Sequence, residues 1–361
     1  MAEHMLCPEC GVPGDFNREH AWLDNGDLVQ SRDHGHRLTF FESDNLDPLF
    51  AGISYIIGMS IEPIIIETVR RNLRPYLKRF VTDDVRERIR AKKLDPMDID
   101  RGFMSLANQN GYGRYEVVES RFEDDPDDYF TVSITEPFSL PICAGTHCGA
   151  MEAILGHDHA VTYTKSGPQT YNIVAYPYQQ PRAFVGRLPA IRYEPAAGDL
   201  VLERCPSCGC PRALSECEWH LERGVVMNRR LGRRMAMIGQ MELDPIFVEL
   251  ENELGDTIPQ TVVEAQRRFS KTGFYSIRDI KDAGRFRTAL AMRGLGNLRE
   301  LKINRRGLHM LVENAALPLM VVGMMQGIFE MAFDLDTDVE WEMSRGSLRM
   351  ELIPRTVAIS A

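Results

Sequence analysis

The chain reads as an α+β protein made of two homologous units, each an antiparallel sheet covered by helices, the two joined by a zinc-knuckle pair. Three observations predict this. A Cys-Pro-X-Cys-Gly word occurs twice, as Cys7-Pro8-Glu9-Cys10-Gly11 and Cys205-Pro206-Ser207-Cys208-Gly209. Landmarks that follow the first word return after the second in the same order. Strand-like and helix-like apolar spacing alternate within each copy, the pattern of a sheet that buries one face under helices. A chain of 361 residues, 44% hydrophobic and 26% charged, has room for two such cores and is not disordered or fibrous in composition.

The two cysteine words stand 198 residues apart, and Trp22, Gly35, Arg37 and Leu46-Asp47-Pro48 recur 197 residues later as Trp219, Gly232, Arg234 and Leu243-Asp244-Pro245. Ile65-Ile66-Glu67 and Arg70-Arg71 return as Val262-Val263-Glu264 and Arg267-Arg268 in the same register. Gly111-Tyr112-Gly113 matches Gly294-Leu295-Gly296 at 183, so the second copy is about fourteen residues shorter between these points. Gly145-X-X-X-Gly149 with Glu152 matches Gly323-X-X-X-Gly327 with Glu330 at 178, and Pro177 matches Pro354 at 177. An ordered series with a shrinking displacement is what tandem duplication followed by loop deletion leaves behind. The organisation is then a first knuckle and lead-in strand (1–25), a first unit (26–180), a linker carrying the second knuckle (181–223) and a second unit (224–361).

The elements of each unit follow in order. A strand holding Trp22 or Trp219 turns at Gly26 or Gly224 into a strand near Arg37–Phe41 or Arg234–Ile238, a hairpin in each copy. Asp47-Pro48 and Asp244-Pro245 resemble a capping Asp before an N1 proline, and helical spacing runs on to about Arg79, with Pro63 and Pro259 kinking or splitting the helix. Tyr112–Val118 reads as a strand, with Gly111 and Gly113 where the backbone needs freedom or close approach. Glu123–Asp128 is an acidic, solvated loop found in the first copy only. The glycine-spaced segments are helices, and Val161–Tyr176 is a closing hairpin. The interleaved charges of Arg70–Lys93 predict a solvated helix face, and the run Arg229-Arg230-Leu231-Gly232-Arg233-Arg234 is denser but short.

Two thiolates two residues apart, followed by a glycine, form one half of a tetrahedral metal site. Each copy brings one half, so the simplest complete site is Cys7, Cys10, Cys205 and Cys208 around one structural Zn2+. A competing arrangement closes a site within the second copy from Cys205, Cys208, Cys217 and His220, leaving Cys7 and Cys10, with His20 as a candidate third ligand, as a second and incomplete one. Cys210 lies too close to Cys208 to count as an independent ligand.

The order of hairpin, long helix, Gly-X-Gly strand, the helix Leu140-Pro-Ile-Cys-Ala-Gly145-Thr-His-Cys-Gly149-Ala-Met-Glu152 and a strand pair ending at Tyr176-Pro177 resembles the 4-vinyl reductase domain family. The resemblance is at the level of motifs, over roughly 28–178 and more weakly 226–355. It implies a small-molecule-binding module, related in fold to haem-nitric-oxide-binding and transport-particle proteins, often dimeric and in several members a sensor of aromatic compounds. The duplication would then mimic such a dimer within one chain, with a homo-oligomer as a further level. Many members carry a cysteine-rich zinc loop in the closing hairpin. Here the stretch Val161–Tyr171 has no cysteine, so the knuckle pair would take over that structural role.

Candidate ligand-binding residues in the first copy are Tyr112, Cys143, His147, Tyr163 and Tyr171. Cys143 and His147 stand four apart on one helix face, with Cys148 adjacent and His157-Asp158-His159 just after, a set able to ligate haem, a corrinoid or a second metal, or to fill the core with small residues. The second copy has Met320, Met324 or Met325 and Asp334 in this region, so the expectation is that the first copy binds ligand and the second is its packing partner.

A net charge of −10 argues against indiscriminate binding to nucleic acid or acidic membranes. Ala315–Phe333 is apolar but contains Pro318, Gln326 and Glu330, which suits a buried core helix better than a membrane span. The first residues lack a basic and apolar export signal, and free thiols fit a reducing cytoplasm. No nicotinamide or flavin fingerprint, phosphate loop or Ser-His-Asp order is present. The expected function is a non-enzymatic, zinc-containing sensor or accessory protein for a hydrophobic or aromatic small molecule. Its rivals are a tetrapyrrole-dependent enzyme or carrier using Cys143 and His147, and an assembly scaffold. A closed apolar cavity, an open cleft with convergent His and Cys, or no cavity would distinguish the three.

Overall fold

The computed structural model describes residues 6–179 and 193–355, so residues 181–192 of the expected linker lie outside it. The first half runs α1 (Gly14–Glu19), β1 (His20–Trp22), β2 (Leu28–Gln30), β3 (Asp33–Glu42), α2 (Leu46–Ile57), α3 (Glu62–Leu77), α4 (Asp83–Arg90), α5 (Pro96–Gln109), β4 (Arg114–Arg121), β5 (Tyr129–Thr135), α6 (Leu140–Leu155), β6 (His159–Lys165) and β7 (Thr170–Pro177). The second half runs β8 (Cys217–His220), β9 (Val225–Asn228), β10 (Arg233–Gly239), α7 (Gln240–Leu254), α8 (Ile258–Phe269), α9 (Ala283–Met292), β11 (Asn297–Asn304), β12 (Gly307–Glu313), α10 (Pro318–Phe333), β13 (Thr337–Ser344) and β14 (Ser347–Pro354).

These strands make three antiparallel sheets, ordered β1-β2-β3-β10-β9-β8, β4-β5-β7-β6 and β11-β12-β14-β13. The first is shared. β3 pairs with β10 so that Phe40 lies opposite Met237, its own counterpart 197 residues on. An antiparallel pair in which a residue meets its homologue carries a local two-fold axis, so the two halves are arranged as a dimer would be. Helices repeat the exchange, α2 packing on α8 and α3 on α7. Close approaches between the halves fall at glycines: a Cβ on Gly111 would stand 2.5 Å from the Met235 carbonyl oxygen, and Gly294 abuts the Leu38 carbonyl in the same way. Both have positive φ, which glycine adopts without strain.

The glycine-spaced helices explain themselves by packing. α6 lies on α3 and α10 on α8. A Cβ on Gly145 would be 2.7 Å from the Ile66 carbonyl oxygen and one on Gly149 2.9 Å from that of Arg70, while Gly323 and Gly327 meet the equivalent carbonyls of Val263 and Arg267. Backbone-to-backbone contact at this distance leaves no room for a side chain. α10 is largely buried and ends at Phe333. No helix among the described residues is long and apolar enough to cross a membrane.

Three local expectations need correction. Asp47 and Asp244 do not cap: β3 runs through a short 3-10 turn into α2 at Leu46, and β10 runs directly into α7 at Gln240, leaving Pro245 inside the helix. The strands deliver the chain into helical geometry before the Asp-Pro pair is reached. Pro63 and Pro259 do split the helical run, each lying in the first turn of α3 or α8. The Arg70–Lys93 face is not uniformly solvated, because Arg70 and Arg86 are buried, Arg70 on Glu152 and Arg86 on the carbonyl of Ala153. Nor is the Glu123–Asp128 loop wholly solvated. Asp128 is buried and accepts the amides of Glu123, Asp124 and Asp125 at 2.7, 2.8 and 3.1 Å, closing the loop on its own charge.

Candidate metal centre and ligand cavity

Each cysteine word folds as a tight knuckle. The amide of Cys7 donates to Val12 O at 2.9 Å and that of Cys205 to Cys210 O at 2.8 Å, while Gly11 and Gly209 turn back to the carbonyls of Cys7 and Cys205. Gly11 and Gly209 have φ of 72° and 76°, the left-handed turn that only glycine makes freely. The turn aims amides at sulfur: N–H groups of Cys10 and Glu9 donate to Cys7 and bring its pKa down to about 7. Burial acts the other way on Cys10, pushing its thiol up, with neighbouring thiols adding to the effect.

The knuckles face each other across the two-fold axis. Cys7 Sγ lies 3.8 Å from Cys205 Sγ and Cys10 Sγ 3.5 Å from Cys208 Sγ, with all four sulfurs within 4.8 Å of one another. Four thiolates at about 2.3 Å from a zinc ion would be about 3.8 Å apart along each tetrahedral edge, so the set fits a four-sulfur site. Side chains from each half steady the other's knuckle: Asn17 donates to Cys208 O at 2.8 Å, and Ser207 to the Glu9 carboxylate at 2.8 Å. The four-cysteine cluster can therefore hold a metal. Cys217 and His220 are not part of it: Cys217 begins β8 and is buried, and among the described residues the metal-competent group is Cys7, Cys10, Cys205 and Cys208. His20 is likewise occupied elsewhere, its Nδ1 2.7 Å from Phe16 O. Cys210 stands beside the four, 3.5 Å from Cys10 and 3.3 Å from Cys208.

Each half also contains a cavity at the equivalent place, between its own helices and the strand of the shared sheet given by the other half. In the second half it measures about 560 Å³, within the range of about 300–1,000 Å³ usual for small-molecule sites. Phe41, Phe286, Leu295, Met320, Met324 and Ile328 form its apolar wall. Its polar side centres on Glu42, a buried carboxylate from β3. Against the burial that would raise it, Arg293 holds its pKa below the ordinary value, with Arg233 adding from 3.7 Å. Asn45, also buried, donates to the Tyr275 hydroxyl at 3.3 Å, but its Oδ1 has no hydrogen-bond partner among the described residues.

In the first half the same region holds about 150 Å³. The difference is side-chain volume. Tyr112 stands where the second half has Leu295, while Tyr76 lines the first cavity from α3 as Tyr275, two residues past the aligned Gly273, lines the second. Tyr76 stacks on His36 at 4.1 Å between ring centroids. Burial lowers the pKa of His36 to about 4, with Arg79 adding and Asp33 opposing, so the ring is neutral near pH 7. Glu242, the counterpart of Asn45, is buried 3.4 Å from the Tyr112 hydroxyl, and burial lifts its pKa to about 7. The expectation that the first copy carries the ligand space and the second merely packs is thus reversed in volume: aromatic side chains close the first cavity, and the smaller ones opposite leave the second open.

The predicted ligand residues do not converge on one space. Tyr112 and His147 line the small cavity. His147 is buried, Nε2 3.1 Å from Phe130 O and Nδ1 3.5 Å from Asp100 Oδ2. Cys143 is fully buried 3.8 Å from Tyr112 O, and burial lifts its thiol to about 12. Tyr163 on β6 donates to Glu62 at 2.5 Å, and Tyr171 is half-buried on the neighbouring strand β7. Cys143 and His147 are engaged with the protein itself beside 150 Å³ of space, an environment that does not fit a haem or corrinoid. The residues sequence reasoning missed are those of the second cavity. The signal available was the replacement of Tyr112 and His147 by Leu295 and Met325 at aligned positions, a loss of polarity that also frees volume.

No protein-family description matches the chain, and no curated protein matches it. Among solved structures, a substituted H-NOX of T. Tengcongensis aligns at 15% identity and TM-score 0.24, over 34% of this chain and 77% of that one. A Cs H-NOX carrying the unnatural amino acid 4-cyano-L-phenylalanine aligns at 14% identity and TM-score 0.24, over the same shares. Likenesses at these TM-scores carry no argument for this chain.

Proposed function

We propose that this chain is a non-enzymatic ligand-binding protein, a sensor or accessory factor of the 4-vinyl-reductase type, whose two halves are clamped by one structural Zn2+ on Cys7, Cys10, Cys205 and Cys208. Its ligand is a hydrophobic or aromatic small molecule held in the second half, and a reducing compartment such as the cytoplasm keeps the thiolates available. The observation that carries the reading is the apolar cavity of about 560 Å³, sealed on one side by β3 of the other half. The unpaired Asn45 Oδ1 in its wall supports it, since a buried acceptor without a donor is costly until something fills the space. The clamp and the cavity belong to one device: the strand that closes the cavity is held in place by the shared sheet and the shared metal.

Native mass spectrometry of the freshly purified chain, joined to binding of the neutral apolar dye Nile red, tests this. The expected result is one zinc per chain and saturable dye binding that is lost in Met320→Trp, which fills the cavity, while zinc is retained. Two zincs per chain would overturn the shared site, and dye binding unchanged by Met320→Trp would overturn the assigned cavity.

A further inference from the structure

The second cavity is not electrically neutral. Arg230, Arg233, Arg278, Arg285 and Arg293 line it against two carboxylates, Glu42 and Glu216, in a chain whose net charge is −10. Two of the five are neutralised locally, Arg293 by both oxygens of Glu42 and Arg230 by Glu216 at 2.8 Å. Arg233 is different. Its side chain is only 15% exposed, and its nearest carboxylate oxygen, on Glu42, is 3.7 Å away, beyond hydrogen-bond distance. Its guanidinium lies over the rings of Phe274 and Tyr275, 4.2 and 5.0 Å from their centroids. Those rings hold the cation in place but accept none of its five N–H bonds in their plane.

A guanidinium fixed by aromatic faces, largely desolvated and with no hydrogen-bond acceptor among the described residues, is a pre-formed site for a planar anion. The duplication supplies an internal control. The aligned residue in the first half is His36, neutral and stacked on Tyr76, and the residue aligned with Arg293 is Asn110. Positive charge is thus built into the open cavity and not into its closed twin.

Resting on the ligand-binding reading above, we propose that the second cavity takes an amphiphilic carboxylate, its apolar or aromatic body against Phe286, Leu295 and Met320 and its carboxylate on Arg233. Glu42 stays paired with Arg293 and sets the far limit of the anion's position, since a carboxylate displaced toward it would meet a like charge. Of ligands with the same body, the anion binds best, the neutral alcohol less well and the ammonium worst.

Displacement of Nile red from the zinc-loaded full chain by decanol, decanoate and decylammonium at pH 7.5 and low salt tests this. Decanoate is expected to bind about tenfold or more tightly than decanol, and decylammonium more weakly than either. Arg233→Met should remove the advantage of decanoate over decanol with zinc retained, and Arg233→His, which installs the first half's residue, should do so above the pH where that histidine is neutral. If Nile red and decanol fail to bind at all, the ligand-binding reading falls. If they bind but decanoate gains nothing, or gains equally in Arg233→Met, only the carboxylate assignment falls.

Discussion

The two halves keep one frame and fill it differently. In the first, Arg70 joins the buried Glu152 at 2.6 Å, and Glu152 also accepts the amide of His159 at 2.8 Å. In the second, Arg267 joins the buried Glu330 at 2.5 Å, and Glu330 accepts the amide of Thr337 at 3.1 Å. Helix, glycine pair, ion pair and the start of the following strand are the same device twice. Around it, Tyr76, Tyr112 and His36 crowd one cavity, whereas Leu295 opens and Arg233 charges the other. The lesson is that the contacts fixing helix against helix tolerate little change, while residues facing the cavity are free to diverge.

The sharpest break of that comparison is at the feature the halves share. Cys7→Ser and Cys205→Ser should each release the metal from the whole site and destabilise both halves, since binding of structural zinc contributes on the order of 10 kcal/mol to folding in small zinc domains. Cys217→Ser should keep one zinc per chain. Metal content and thermal unfolding of the three variants check this, and zinc retained by Cys7→Ser would show that each half binds metal alone.

This centre was the most legible part of the sequence, because two residues at fixed spacing and a glycine specify a knuckle locally, and repetition supplied the other half. Helix splitting at Pro63 and Pro259, the Trp strands and the closing hairpin were legible for the same reason. The cavity was not. Its size depends on side chains from β3, β10, α9 and α10 meeting across the two-fold axis, and no local pattern says whether Tyr112 or Leu295 leaves the larger gap. The burial of Arg70 escaped too: charge interleaving reads as solvation until Glu152, eighty-two residues away, is placed beside it.

The ion pairs offer the next test. Glu152→Gln leaves Arg70 with a weaker acceptor in an almost dry site, where the Arg70 side chain is 5% exposed, against 22% for Arg267 beside Glu330. Removing one partner of a buried pair costs about 3–5 kcal/mol; Arg74 beside Glu152 and Lys271 beside Glu330 lose a partner alike, and the greater solvent access of Arg267 reduces the cost in the second half. Urea unfolding should therefore show a larger loss for Glu152→Gln than for Glu330→Gln. The reverse order would mean that the first pair is not the more desolvated. The glycines come after: Gly145→Ala and Gly323→Ala each push a methyl group into a carbonyl of the facing helix, at about 1–3 kcal/mol for overpacking. Gly102→Ala, in open space within α5, is the control and should raise stability by about 0.5–1 kcal/mol in the same unfolding assay.

Apart from that control, the smallest effect also has the opposite sign. Glu242 is buried in the first half, where its counterpart in the second is the uncharged Asn45, and its pKa stands near 7 against an ordinary 4.5. Between those values the folded chain holds a proton that the unfolded chain has released. Folding stability from this group is thus highest below about pH 4.5, falls as pH rises toward 7, and stays lower above it. A shift of this size has an upper bound of about 3 kcal/mol, and local relaxation brings it to about 1–2 kcal/mol. Glu242→Gln keeps the shape and the neutral form at every pH, so it should match the parent chain near pH 4.5 and exceed it at pH 8. His20, His36 and His159, whose pKa values burial lowers to about 4, 4 and 3, act with the other slope, destabilising the fold as pH drops below 6.5. They are present in both chains and cancel in the difference. A urea midpoint difference that is flat from pH 4.5 to 8 would show that Glu242 is already ionised in the folded protein, and with it that the first cavity is wetter than its packing of Tyr76, Tyr112 and His36 implies.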